Sequence, residues 1–248
     1  MIVLKSFKDI QRMRVAGRIV AEVLAVVQES VKPGVTTLAL NAIAEREVEK
    51  RGAKPAFKGY SGYPFSLCCS PNNQVVHGWP VNKELQEGDI LSLDFGAYYD
   101  GFYGDAAVTV PVGKVSSKAQ AIIIATRESL GCAISNSITT NRLSDISHSV
   151  QAYVESAGFS VVRDFVGHGI GRRLHENPQV PNYGVPGKGA KLKAGMVLAI
   201  EPMVNEGSYD VKVLADGWTA VTVDGMLSAH FEHTVAITDN GPEILTLL

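Results

Sequence analysis

The stretch Leu91–Val110, LSLDFGAYYDGFYGDAAVTV, decides the fold. Apolar, aromatic and threonine positions flank Asp100-Gly101, a dipeptide that tolerates positive φ, and this pattern predicts a β-hairpin with a two-residue loop. Tyr99 then pairs with Phe102, and the ladder runs back until Gly96 faces Asp105. Asp94 falls on the same face as Gly96, so Asp94 and Asp105 become diagonal neighbours with backbones about 7–8 Å apart. Leu91, Leu93, Phe95, Val108 and Val110 imply that both faces are largely buried, and acidic residues in such strands are rarely left unpaired. The two carboxylates predict a cation between them.

Outward from the hairpin, the chain repeats itself. LQEGDILSLD (Leu85–Asp94) aligns without a gap on LKAGMVLAIE (Leu192–Glu201), which makes Asp94 equivalent to Glu201. A His-Gly precedes each block, His77-Gly78 and His168-Gly169, and a second acid in a β stretch follows each, Asp105-AAVTV and Glu232-HTVAI. Two half-domains, roughly 1–112 and 113–248, are expected to form a single domain and to bring carboxylates and imidazole from both halves to one centre.

The rest of the chain frames these motifs. Ile10, Met13, Gly17, Val20, Leu24 and Val27 describe an amphipathic helix from about Ser6 to Ser30, ended by Lys32-Pro33-Gly34. A second helix is expected from Thr36 or Thr37 to about Lys50, a third from Ser116 or Ser117 to about Ser137, and a fourth over Leu143–Ala157. Strands are expected at Phe65–Ser70, Gln74–His77, Phe159–Arg163, Val197–Val204, Val211–Leu214, Thr219–Val223 and Ala229–Thr238, with a loop from Pro181 to Gly195. Tyr60, Tyr63, Phe65 and Trp79 fit either the core or the lining of an apolar pocket, the core being the simpler reading.

Composition narrows the function classes. With 248 residues, 46% hydrophobic and 19% charged, the chain belongs among globular proteins with a large core. A formal net charge of −2 and the lack of any basic block give no footprint for nucleic acid. No apolar run approaches the roughly 18 residues that a membrane span requires. The three cysteines, Cys68, Cys69 and Cys132, are an odd count with two adjacent, which argues for a reducing, cytoplasmic compartment rather than a disulfide framework.

Four carboxylates with imidazole and no thiolate suit divalent ions such as Mn, Fe, Co or Zn, and two such ions about 3.5–4 Å apart can activate water and polarise a carbonyl, the chemistry of amide hydrolysis. His77, His168, His175, His230 and His233 fall in or beside the motifs, whereas His148 reads as a surface residue on a helix.

GHGIGRRLHENPQV, AIEPMV (Ala199–Val204), SAHFEHTVAIT (Ser228–Thr238) and the spaced aspartates together resemble type I methionine aminopeptidases over essentially the whole chain. The resemblance implies an α/β (α+β) pita-bread fold, a pseudo-two-fold repeat of a helix pair plus antiparallel strands around a dinuclear metal centre. It puts the metal ligands at Asp94, Asp105, His168, Glu201 and Glu232, with Asp105 and Glu232 bridging. In such enzymes a metal-bound hydroxide attacks the carbonyl of an N-terminal methionine that precedes a small second residue, and the position of Glu201 helps to move its proton. The substrate amine is held near Asp94, while His77 and His175 contact the scissile amide. The methionine pocket maps to Phe57, Tyr60, Tyr63, Cys68, Leu174 and Trp218.

Three positions depart from the family pattern. Phe57 stands where Cys is common and Leu174 where Phe is, an exchange of bulk that keeps a pocket of similar size. His230 stands where Gln is usual, and strand alternation puts it on the face of Glu232. Either it perturbs metal affinity, or it replaces one hydrogen-bonding side chain by another. Relatives that cleave Xaa-Pro bonds or creatine use the same five ligands and usually carry an N-terminal domain, for which a first helix starting near Ser6 is expected to leave no room. Non-catalytic binding modules on this fold typically lose ligands, and here the set is intact. The expected partner is the N-terminal Met of nascent chains, with transient ribosome association, and the expected state is a monomer.

Overall fold

The computed structural model describes residues 1–248. Two helices, α1 (Phe7–Glu29) and α2 (Thr37–Lys50), precede β1 (Lys54–Pro55), β2 (Cys68–Pro71), β3 (Gln74–Val76) and the long hairpin of β4 (Ile90–Tyr99) and β5 (Phe102–Pro111). Then α3 (Ser117–Ser135) and α4 (Leu143–Ser156) precede β6 (Ser160–Val161), β7 (Gly167–Gly169), β8 (Glu176–Val180), β9 (Val197–Ile200) and β10 (Met203–Asn205). The chain closes with β11 (Val211–Val213), β12 (Ala220–Thr222), β13 (Ser228–His230), β14 (Glu232–Thr238) and β15 (Gly241–Ile244).

Local chemistry sets the helix starts. Ser6 accepts from the Asp9 amide while the Asp9 carboxylate accepts from the Ser6 amide, a reciprocal cap that fixes the entry of α1. Thr36 and Ser116 cap α2 and α3 through their hydroxyls. The hairpin has the register that the sequence predicts, from Tyr99 opposite Phe102 back through Gly96 opposite Asp105 to Ile90 opposite Pro111. Asp100 and Gly101 both take positive φ, as a two-residue turn of this kind requires.

The main sheet runs β1-β4-β5-β14-β9-β7-β8, with β2 on β4 and β15 on β14. Alternation separates its faces. Leu91, Leu93, Phe95, Ala97 and Ala106 pack in one core with α1 and α2, and Leu198, Ile200, Val235 and Ile237 pack in another with α3 and α4. The residues between them in sequence, Asp94, Asp105, Ala199, Glu232 and Thr234, occupy the opposite face. Helix α1 approaches the hairpin at a glycine contact, since a Cβ on Gly104 would lie 2.9 Å from the Gly17 nitrogen.

Several strands differ from the sequence expectation. Val197–Val204 is broken at Glu201-Pro202, because proline offers no amide to the ladder, and β10 leaves the main sheet to pair with β13 and β6. Ala229–Thr238 is broken likewise at Phe231, whose amide bonds the Pro202 carbonyl. The expected strands at Phe65–Ser70 and Phe159–Arg163 shorten to Cys68–Pro71 and Ser160–Val161, and the expected Gln74–His77 stops at Val76, where His77 turns to a φ of 59°. Within FVGHGIGRRLHENPQV, β7 and β8 form around Gly and Pro residues that mask a strand pattern, and the terminal β15 pairs along β14.

Candidate metal centre

Two adjacent rungs across the main sheet assemble the centre. In the first, Asp94 on β4 is opposite Ala107 on β5, and Ala107 is opposite Glu232 on β14. The pairing of His233 with Ile200, continued by one residue, brings Glu201 beside Glu232. In the second rung Gly96 is opposite Asp105, Thr234 pairs with Ala199 and Ala199 with His168, while the Thr234 hydroxyl ties the Asp105 amide and carbonyl at 3.0 and 2.8 Å. Paired residues share a sheet face, so the acids and His168 all point to one side. The intervening Gly96, Ala107 and Ala199 are small, and at Gly96 the Phe57 ring packs so closely that a Cβ would lie 2.8 Å from it. Neither Thr234 nor these small residues carries a signal in the sequence beyond strand parity.

One oxygen each of Asp105 and Glu232 and one nitrogen of His168 lie within 4.8 Å of one another. His168 Nε2 is 3.6 Å from Glu201 Oε1. The His168 Nδ1–H donates to the Gly169 carbonyl at 2.9 Å, which leaves Nε2 as the free nitrogen toward the acids. A Cβ on Gly169 would strike the Asn177 carbonyl, and one on Gly78 the Cys69 carbonyl, so both His-Gly motifs use glycine for close backbone approach.

The electrostatics are those of a site short of positive charge. Burial raises the Asp94 carboxyl to about 7, and burial together with the neighbouring acids holds Asp105, Glu201 and Glu232 well above the carboxylate range. Asp94 Oδ1, Asp105 Oδ1 and Glu232 Oε1 are buried acceptors with no hydrogen-bond partner. Three orphaned carboxylate oxygens beside a free imidazole nitrogen fit divalent cations.

A cavity beside this centre is lined by Phe57, Tyr60, Tyr63, Cys68, Leu174 and Trp218 together with His77 and His175. Tyr63 and Trp218 meet edge to face at 5.1 Å. Tyr60 is therefore pocket lining rather than core, and 39% of its surface is exposed. Its hydroxyl is hydrogen-bonded to His175 Nδ1 at 2.7 Å, and the His175 ring centroid is 4.3 Å from that of His168. His77 packs on Phe165 and Trp218, and burial lowers it to about 4. His230 is buried and its Nε2 is 3.9 Å from Glu201 Oε2.

His233 does not join this group. It lies on β14 between Glu232 and Thr234, so its side chain points to the helix face, where Nδ1 meets the Thr246 hydroxyl at 2.8 Å. His148 is exposed on α4 as expected, with Nδ1 near the Gly184 carbonyl.

The sequence model of metallopeptidase family M24 matches residues 11–239, and the chain belongs to this family. Among curated proteins, a methionine aminopeptidase of Clostridium perfringens is 58% identical over 248 residues, 100% of both chains. Among solved structures, methionine aminopeptidase from Thermotoga maritima superposes with a TM-score of 0.99 at 51% identity over 100% of both chains. Prolidase from Pyrococcus furiosus shares the fold at a TM-score of 0.81 and 23% identity, over 99% of this chain and 66% of that one. The fold is thus the pita-bread α/β arrangement, with its curled antiparallel sheet and four helices.

Proposed function

We propose that this protein is a methionine aminopeptidase that removes the initiator methionine from polypeptides with a small second residue. The observation that carries this reading is the joining of five metal-type side chains and an aromatic cavity in one site, on a chain that matches methionine aminopeptidases end to end.

Asp94, Asp105, His168, Glu201 and Glu232, all of which line the one cavity, would hold two divalent ions of the Mn, Fe, Co or Zn class. Ions bound there would supply a lowered pKa for water and a polarised scissile carbonyl. Glu201, at the end of β9, takes the proton of the attacking water and passes it to the leaving amine. Asp94 holds the substrate ammonium. His77 and His175 stand at the cavity wall and donate hydrogen bonds to the scissile amide, stabilising negative charge as it develops. The methionine side chain lies among Phe57, Tyr60, Tyr63, Cys68, Leu174 and Trp218, where a flexible thioether adapts to aromatic walls.

A single domain with halves near 1–112 and 113–248 accords with the sheet order, in which β4-β5 and β14-β9 are mirror-ordered about their junction. No helix is long and apolar enough to cross a membrane. We propose further that the protein acts as a monomer in the cytoplasm and meets its substrate transiently at the ribosome, where nascent chains emerge.

Release of the N-terminal residue from peptides beginning Met-Ala, Met-Lys and Ala-Pro, with chelated protein before and after addition of Mn or Fe, tests the reading. Metal-dependent cleavage of Met-Ala alone supports it. Cleavage of Ala-Pro would reassign the protein to the proline-specific relatives, and no cleavage at all would favour a binding module.

A further inference from the structure

His230 is buried, at 1% exposure, and neither of its ring nitrogens has a hydrogen-bond partner. Neutral and protonated imidazole both present at least one N–H, so a buried donor left idle costs about 1–3 kcal/mol in the metal-free state, a cost that a partner gained in a ligand-bound state would relieve. The surrounding backbone fixes where that ring goes. The Thr109 hydroxyl accepts from the His230 amide and donates to its carbonyl, both at 2.8 Å, and is itself 2.8 Å from the Ser92 hydroxyl. On the other side His230 pairs with Met203, two residues beyond Glu201, and the Phe231 amide bonds the Pro202 carbonyl. The breaks at Glu201-Pro202 and Phe231 therefore lie against each other, and they aim His230 at the outer oxygen of Glu201. Nε2 lies 3.9 Å from Oε2, about 1 Å beyond a hydrogen bond, while Oε1 faces His168 at 3.6 Å.

We propose that His230 is a positioning residue for Glu201: with a divalent cation bound at the centre, its Nε2–H would hydrogen-bond Oε2 and so hold Oε1 on the side of His168. The inference rests on the assignment of Glu201 as a metal ligand. It also accounts for an imidazole in a setting where an apolar side chain would avoid the desolvation cost. Donors that orient a ligating carboxylate are worth about 10–100-fold in metal affinity.

The test compares wild type, His230→Leu and His230→Gln. The readouts are Mn affinity by chelator competition, the visible spectrum of the Co(II)-loaded protein, and the melting temperature of the metal-free protein. His230→Leu removes the donor at similar volume, and it is expected to weaken Mn binding about 10–100-fold and to alter the Co(II) bands, while the metal-free form melts no lower than wild type. His230→Gln keeps a donor and is expected to bind Mn within about threefold of wild type. Mn binding by His230→Leu equal to that of wild type would overturn the proposal, as would a loss in His230→Gln as large as in His230→Leu. Absence of Mn binding by wild type would instead overturn the assignment of the metal ligands.

Discussion

Replacing Asp105 by Asn should stabilise the metal-free protein while abolishing its metal site. An Asp105 oxygen lies within 4.8 Å of one from Glu232, and two unit charges at that separation repel by about 3–4 kcal/mol at an effective dielectric constant near 20. The rise of Asp94 from 3.8 to about 7 gives a cost of the same order, about 4 kcal/mol for a carboxylate kept ionised at that burial. For a protein of this size each kcal/mol moves the melting temperature by about 2–4 °C, so Asp105→Asn should raise it by about 10 °C in EDTA at pH 8. The sign with pH follows from linkage. Carboxyls raised in the folded state contribute stability that is present below their unfolded pKa and lost as pH rises through the folded one. His77, His168 and His230 are lowered to between about 3 and 4, so their contribution is lost only as pH falls below about 6.5. From pH 6.5 to 8.5, then, metal-free wild type should lose stability through the acids alone, and Asp105→Asn should lose less. Calorimetry in EDTA at pH 6.5, 8 and 8.5 measures this. A variant that melts at or below wild type at pH 8 would refute the claim that unrelieved carboxylate repulsion dominates the empty centre.

Other outcomes follow from the surrounding residues. Leu174→Phe should overfill the cavity and raise KM for Met-Ala peptides about tenfold, and adding Phe57→Cys should recover most of that loss, as peptide kinetics on the single and double variants would show. Tyr60→Phe removes the 2.7 Å hydrogen bond to His175 and should lower kcat/KM about 3–10-fold without changing the melting temperature. Lys5→Met leaves Glu176 buried without its 2.8 Å partner and should destabilise the protein by about 3–5 kcal/mol in urea unfolding, most of it regained in Lys5→Met/Glu176→Leu.

How far the sequence reaches depends on the range of the signal. Asp100-Gly101 fixes its hairpin locally, and alternation then places Asp94 and Asp105 without knowledge of the rest of the fold. Helix caps at Ser6, Thr36 and Ser116 are equally local. The breaks at Glu201-Pro202 and Phe231 are not, because each strand leaves one sheet for another and the choice depends on partners far along the chain. His233 shows the same limit. It sits next to Glu232 in sequence, yet parity turns it to the helices, whereas His230 reaches the centre across a strand break. Residue pattern alone favours the core for Tyr60, and only the family resemblance puts it in the pocket, because its role depends on His175, which lies 115 positions away.

Anomalous diffraction from crystals soaked in excess Mn would locate the ions themselves. Two peaks are expected between the side chains of Asp94, Asp105, His168, Glu201 and Glu232, with Asp105 and Glu232 touching both. Peaks elsewhere, or none among these five residues, would contradict the assignment of these ligands.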